Sequence, residues 1–264
     1  MKKISTKIII TIIICCITLS SILGTISILV GKTLINKEAM DKLVYMSQSI
    51  SGDLNKKFEI PQNKVEYLSY NVINTFNTEQ LKSDPKYIEK YKNSLASTIK
   101  NYSEGSKSYL SMYFFFNPDL TGEVADVYLA DTKDTGNFER QSELTKEKYD
   151  SNNKNMQWYY ETIKQKNGKW SIPYTSSIIN SDIITYSKPI FKDNVLIGVV
   201  GVDLKFSDIK NLINDIKVYT TGYASLYNDK YDYLVHPDFT YKDNLATVKN
   251  GVYKDIYEQM KANQ

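Results

Sequence analysis

The sequence predicts an α+β protein tethered by one apolar helix, and three observations carry that expectation. Ile8 to Val30 is a run of about 23 residues without a charge, long enough to cross a hydrocarbon core with some tilt. Residues 31–76 and a stretch opening near Ser83 show helical periodicity. From Tyr109 onward, short apolar runs alternate with Asn, Asp, Gly and Pro, the punctuation of strands and turns.

Lys2, Lys3 and Lys7 precede the apolar run. They predict a cytoplasmic N-terminus at 1–7, a single cell-membrane span at 8–30 and an extracytoplasmic bulk. A cleaved signal peptide competes with this, but its apolar region would be shorter and end at an Ala-x-Ala-like site. Cys15 and Cys16, the two cysteines, lie inside the span and read as lipid-facing or helix-packing residues. Neither a disulfide framework nor a cysteine metal site is expected.

Residues 31–76 predict a long helix, with Pro61 as a candidate break. Leu43, Val44, Ile50, Leu54 and Phe58 approximate one apolar stripe. It suits packing within its own domain and also a dimer seam. Ser83-Asp84-Pro85 pairs an N-cap candidate with a first-turn proline. In the helix that follows, Tyr87, Tyr91, Leu95 and Ile99 form a core stripe. Tyr109 to Phe116 reads as a strand, Asn117-Pro118-Asp119 with Gly122 as a turn, and Val124 to Leu129 as the partner strand. Asp131 to Asn155 reads as a polar surface loop holding a short charged helix, Leu144 to Tyr149.

Asn155 to Ser207 is the most informative stretch. Trp158, Tyr159 and Tyr160 open a short helix. Asn167-Gly168 turns the chain toward Trp170 and a strand start at Ile172-Pro173-Tyr174. Two more strands meet at Lys192-Asp193-Asn194. In the last strand Val195, Ile197, Val199, Gly201 and Asp203 share one face. Gly201 carries no side chain two places before the carboxylate, which predicts room for something to approach. Aromatics converging on one carboxylate suit a small cationic guest. Beyond it, Ser207 is a candidate cap for a helix burying Ile209, Leu212, Ile213 and Ile216. Thr221-Gly222-Tyr223 starts a second sheet, and Ala224 to Tyr227 and Tyr233 to Val235 flank a hairpin-like loop.

The chemistry on offer is narrow. A net charge of +3 from 33 basic and 30 acidic residues is too balanced to argue for nucleic acid. The chain has 22 Tyr but one His and a single Arg, Arg140. No nucleophile elbow, phosphate-cradling loop or His-Glu-x-x-His occurs, so no enzyme, cofactor or metal is expected. His236 before Pro237 reads as a turn residue, with proton sensing as the alternative. Asp119, Asp182 and Asp193 sit in turn contexts and read as solvated or capping.

The order Trp-Tyr, Trp-Ser-x-Pro-Tyr, Thr-Tyr-Ser-x-Pro-Ile and Gly-Val-Val-Gly-Val-Asp resembles double Cache (dCache) sensor domains. These are the extracytoplasmic ligand-binding regions of bacterial chemoreceptors (methyl-accepting chemotaxis proteins) and sensor kinases. The resemblance covers most of the chain beyond the span. It implies a PAS-like, membrane-distal, ligand-binding module at 77–206 and the start of a membrane-proximal module at 207–264. Gly222-Tyr223 and His236-Pro237 match the opening of that second module, although its usual hairpin glycine is missing. It also implies a homodimer through the long helix. The chain ends at Gln264 before a second span or an output domain, so a truncated receptor is expected. The alternatives are a surface-exposed binding protein without its own output, or the sensor part of a histidine kinase or cyclic-dinucleotide cyclase.

Laid onto the family's amino-acid-binding pattern, Trp158, Tyr159, Tyr174 and Asp203 match as ligand-binding residues. The pattern's arginine falls on Met156, its downstream acid on Ser176, and its upstream tyrosine on Ser151, with Tyr149 nearby. Without the arginine a ligand carboxylate loses its bidentate partner. An amine or a masked carboxylate is therefore expected over a free amino acid, with Arg140 the candidate substitute. Trp158 divides between core and ligand wall, and Trp170 reads as core. The plain alternative for Asp203 is an acid serving the next helix N-terminus.

Overall fold

The computed structural model describes residues 2–147, 149–153 and 156–262, without the side chains of residues 2, 3 and 5. Lys148, Asn155, Gln264 and the Lys2 and Lys3 side chains, all invoked above, lie outside the described residues. Two compact units are present, Met1–Asp53 and Leu54–Gln264. Helix α1 (Lys2–Thr75) makes up the described part of the first unit. It is the one helix among the described residues long and apolar enough to cross a membrane, and its apolar window is unburied.

In the second unit, α1 buries Pro61, Val65, Leu68 and Val72 and half-buries Leu54 and Phe58. These positions recur at three- and four-residue spacing, one face of a helix. The break considered at Pro61 does not occur, because the helix runs through it. A mid-helix proline costs about 3 kcal/mol, and burial of its ring in this stripe offsets that cost. Of the stripe read from sequence, Leu54 and Phe58 join this core, whereas Val44 is exposed.

A short helix not anticipated, α2 (Thr78–Ser83), is capped by Asn77, whose side chain accepts from the Glu79 and Gln80 N–H groups. Helix α3 (Tyr87–Ser103) follows. Asp84 steadies its start, accepting from the Lys86 N–H at 2.9 Å and from the Lys90 ammonium at 2.8 Å. Next come β1 (Ser111–Phe116), the one-turn α4 (Pro118–Thr121), β2 (Asp126–Ala130) and β3 (Glu139–Arg140). They are followed by α5 (Gln157–Gln165), β4 (Lys169–Trp170), β5 (Tyr174–Ser176), β6 (Ser181–Lys192) and β7 (Val195–Lys205). The sheet is antiparallel in the order β3-β2-β1-β7-β6-β4, with β5 also on β6. Asp193 and Asn194, both at positive φ, form the tight turn that suits the twist of the β6–β7 hairpin.

The helix expected at Leu144 to Tyr149 is not formed, and the described residues make a single turn instead. Competing partners explain this. The Asp126 carboxylate takes the Leu144 N–H at 2.9 Å, and Tyr149 O–H donates to the Phe116 carbonyl at 2.8 Å. Both pull the segment flat against the sheet.

The sheet has two buried faces. Met112, Phe114, Phe116, Val200 and Val202 face α1, α3 and α6 (Phe206–Asn214). Tyr113, Phe115, Tyr128, Ala130 and Val199 face α5 and the loop segment at Tyr149. Ser207 lies inside α6 rather than capping it, because the helix starts a residue earlier, after Lys205. Phe206 is buried, and seating its ring draws that first residue into the helix. Beyond α6, β8 (Lys217–Val218) pairs with β9 (Gly222–Tyr223), and β10 (Leu226–Tyr227) with β11 (Tyr233–Val235). Helices α7 (Val248–Gly251) and α8 (Lys254–Ala262) follow. Where the hairpin lacks its glycine, Tyr231 takes a φ of 63°. That conformation costs an L-residue about 1–2 kcal/mol, and its buried ring packs edge-on against Tyr257.

Candidate functional site

Asp203 sits near the end of β7, between two neighbours fixed by register: Ser111 on β1 and Thr185 on β6. Directly opposite residues on one sheet face bring their side chains together. Its Oδ2 accepts from Ser111 at 2.5 Å and from Tyr128 at 2.7 Å, and its Oδ1 from Thr185 at 2.7 Å. Thr185 has one hydroxyl proton and gives it to Asp203. Tyr174, 2.9 Å from Thr185 Oγ1, must therefore be the donor there. A relay runs from Tyr174 through Thr185 to the carboxylate.

The carboxylate is 2% exposed. Burial raises its pKa against the opposing hydrogen bonds of Ser111, Thr185, Tyr128 and Tyr113. Burial also drives the Tyr174 and Tyr128 phenols upward, so they remain donors. Among the described residues no Lys or Arg forms an ion pair with Asp203.

An aromatic layer adjoins it. Tyr113 stacks on Tyr128 with centroids 5.0 Å apart. Trp158 meets Tyr113 edge-on at 5.2 Å and Phe115 at 5.3 Å. Tyr159, fully buried, donates to the Phe116 carbonyl at 3.4 Å, and burial pushes its phenol up to about 12. Helix α5 is pinned over this layer. Thr162 donates to the Trp158 carbonyl at 2.7 Å, so Ser187 on β6 donates to Thr162 at 2.6 Å.

Of the residues singled out from sequence, Tyr174 and Asp203 therefore belong to one hydrogen-bonded unit, and Trp158 adjoins it through Tyr113. Tyr159 lies further along, with Phe116 and Tyr149. The room expected at Gly201 is taken by the protein itself, since a Cβ there would lie 2.4 Å from the Tyr113 ring. Met156 is buried and apolar, beside Tyr159 at the start of α5. Ser176 is buried and accepts from the Ile178 N–H. Ser151 is exposed, whereas Tyr149 packs in the aromatic layer. Arg140 does not substitute for the missing arginine: it bonds Glu143 and Asn93 of α3, on the other side of the sheet. Asp203 does not serve the next helix either, because its oxygens are taken by hydroxyls within the sheet.

Ser111, Tyr113, Tyr128 and Thr185 were missed. Each is set by strand pairing, and only the short Thr185-Tyr186-Ser187 alternation hinted at one of them. A second buried acid, Asp126, is 1% exposed, and burial raises it to about 6 against its bond from Leu144 N–H. His236 holds a turn, as expected. Its Nδ1 accepts from the Asp238 and Phe239 N–H groups, which leaves Nε2 to donate to Tyr223 at 3.2 Å.

Residues 95–211 match the family described as methyl-accepting chemotaxis protein-like, first PDC sensor domain. A protein of Bacillus thuringiensis subsp. konkukian (strain 97-27), described as a methyl-accepting chemotaxis protein, is 23% identical over 98% of this chain and 34% of its own length. The methyl-accepting chemotaxis protein McpC of Bacillus subtilis (strain 168) is 31% identical over 34% of this chain and 15% of its own. The chain thus spans about a third or less of these relatives. Among solved structures, the sensory domain of the Campylobacter jejuni chemoreceptor Tlp3 (CcmL), with isoleucine bound, is 20% identical with a TM-score of 0.53, over 86% of this chain and 81% of that one. An extracellular domain described as that of a histidine kinase, soHK1S-Z6, is 19% identical with a TM-score of 0.55, over 81% and 76%. Residues 95–211 are thus similar to the first PDC sensor domain of methyl-accepting chemotaxis protein-like proteins, within a chain of dCache-like α+β fold.

Proposed function

We propose that the chain is the extracytoplasmic ligand-sensing part of a chemotaxis-type receptor, anchored by residues 8–30. Its distal module, 77–206, would bind a small amine or an amino-acid-like metabolite with a masked carboxylate, and the receptor would act as a homodimer through the long helix. One observation carries the ligand class: Asp203 is a buried carboxylate beside an aromatic layer, held by hydroxyls and by no ion pair among the described residues. A cation there would gain a charge-assisted bond and aromatic faces. The relative solved with isoleucine supports amino-acid-like chemistry, and Met156 supplies no charge for a free carboxylate. Ligand would act by favouring one receptor conformation over another.

Calorimetric titration of the full chain against primary amines and the matching free amino acids tests this. Amines should bind, and Asp203→Asn should weaken them at least roughly tenfold, about 1.4 kcal/mol. A bound cation favours the ionised acid, and burial raises Asp203 in the free protein. Affinity should therefore fall as the pH falls. Unchanged affinity in Asp203→Asn, shown folded by circular dichroism, removes this carboxylate from the site. Preferential binding of free amino acids overturns the ligand class.

A further inference from the structure

Strand β6 serves two partners in alternation. Thr185 and Ser187 face Asp203 and α5, whereas Tyr186 and Lys188 face α1. Tyr186 O–H donates to Glu66 Oε1 at 3.0 Å, and the Lys188 ammonium pairs with Glu66 Oε2. One α1 carboxylate thus gathers both residues that point away from the candidate site. The contact is reinforced along the same edge. Trp170, opposite Tyr186 in register, donates its indole N–H to Gln62, one helical turn from Glu66, at 3.2 Å. Lys192 donates to the Phe76 carbonyl at 2.7 Å. Gly168 makes way for the arrangement, because a Cβ there would lie 2.1 Å from the Tyr186 hydroxyl.

We propose that β6 couples the state of Asp203 to helix α1 through Glu66, so that a cation displacing the Thr185 hydroxyl from Asp203 shifts the Glu66 turn of α1. The proposal rests on the reading of Asp203 as the ligand's partner. Residues 185–188 are register-paired to β7 without interruption, and both faces of the sheet are buried. Thr185 itself is 1% exposed, and in a close-packed interior a change there passes to its strand neighbours. Tyr186 is the adjacent residue, and its hydroxyl is committed to Glu66. The charged pair with Lys188 makes that attachment stronger than neutral contacts would. Glu66 is thus a positioning residue, acting on α1 rather than touching ligand. Coupling of this kind is established by perturbing both ends and testing for non-additivity.

The experiment needs no ligand. Thr185→Val imitates the released state by replacing the hydroxyl that donates to Asp203 with a methyl group of similar size. Hydrogen–deuterium exchange is followed by mass spectrometry on the full chain in detergent micelles. Thr185→Val should change exchange at least threefold in α1 peptides covering residues 60–72. In a Glu66→Gln, Tyr186→Phe background, the same substitution should leave those peptides within about 1.5-fold of that background. An equal effect in both backgrounds, or a response limited to β5–β7, overturns the proposal. If Thr185→Val does not fold, Tyr174→Phe removes the hydroxyl that donates to Thr185, with the same two outcomes deciding. Failure of amine binding would overturn the ligand reading alone, whereas additivity here would overturn the coupling alone.

Discussion

At the scale of single residues, the sheet carries two buried acids with different surroundings. Asp203 is surrounded by hydroxyl donors, whereas Asp126 has one backbone donor, Leu144. Burial lifts Asp126 from its usual 3.8 to about 6, a gap equivalent to roughly 3 kcal/mol. The folded chain therefore holds this proton more tightly than the unfolded chain. The associated stability is full below about pH 4 and is lost as the pH rises through about 6. Asp126→Asn keeps an acceptor for Leu144 and removes the buried charge. It should stabilise the protein at pH 7–8 by roughly 1–3 kcal/mol, with the difference vanishing toward pH 4. Thermal unfolding of both proteins across that range checks this, and a pH-independent difference would contradict it.

At the scale of elements, α1 shows how a stripe replaces intrinsic propensity. Pro61 argues locally for a break, yet Val65, Leu68 and Val72 on the same face bury completely. Leu68→Ala should cost about 2–5 kcal/mol, the transfer and cavity cost of a buried leucine. Tyr70→Ala, at a side chain 73% exposed, should stay within about 0.5 kcal/mol. Urea unfolding separates the two, and equal effects would mean that this face does not hold α1 to the sheet. Elements with strong periodicity or turn chemistry were legible in sequence: α3 through Tyr87, Leu95 and Ile99, and the β6–β7 hairpin through Asp193-Asn194. The Leu144 to Tyr149 segment was not, because the hydrogen bonds it donates to Asp126 and Phe116, distant in sequence, outweigh its local helical tendency.

At the scale of the whole molecule, one apolar helix with Lys7 on its N-terminal side motivates an inside N-terminus, with everything after about Gly31 outside. Protease added to intact cells should digest the region from Asp84 onward. Protection of that region until the membrane is breached would reverse the orientation. Residues 95–211, the stretch similar to PDC sensor domains, lie within the region whose exposure this assay reads.

The sequence by itself determined the fold class, the apolar helix and the aromatic run ending on Asp203, because each depends on local period, length or turn chemistry. It also determined that no guanidinium comes from Met156 or from α5, since neither contains an arginine. Only the tertiary structure decided what surrounds the carboxylate. Ser111, Tyr128 and Thr185 reach Asp203 from three strands, and pairing register, which sequence spacing does not encode, sets which residues lie opposite. The same is true of Gly201, whose missing side chain reads as open space in sequence and is filled by Tyr113 in the fold. It is true again of Arg140, which a one-residue alternation on β3 sends to α3 and away from the acid.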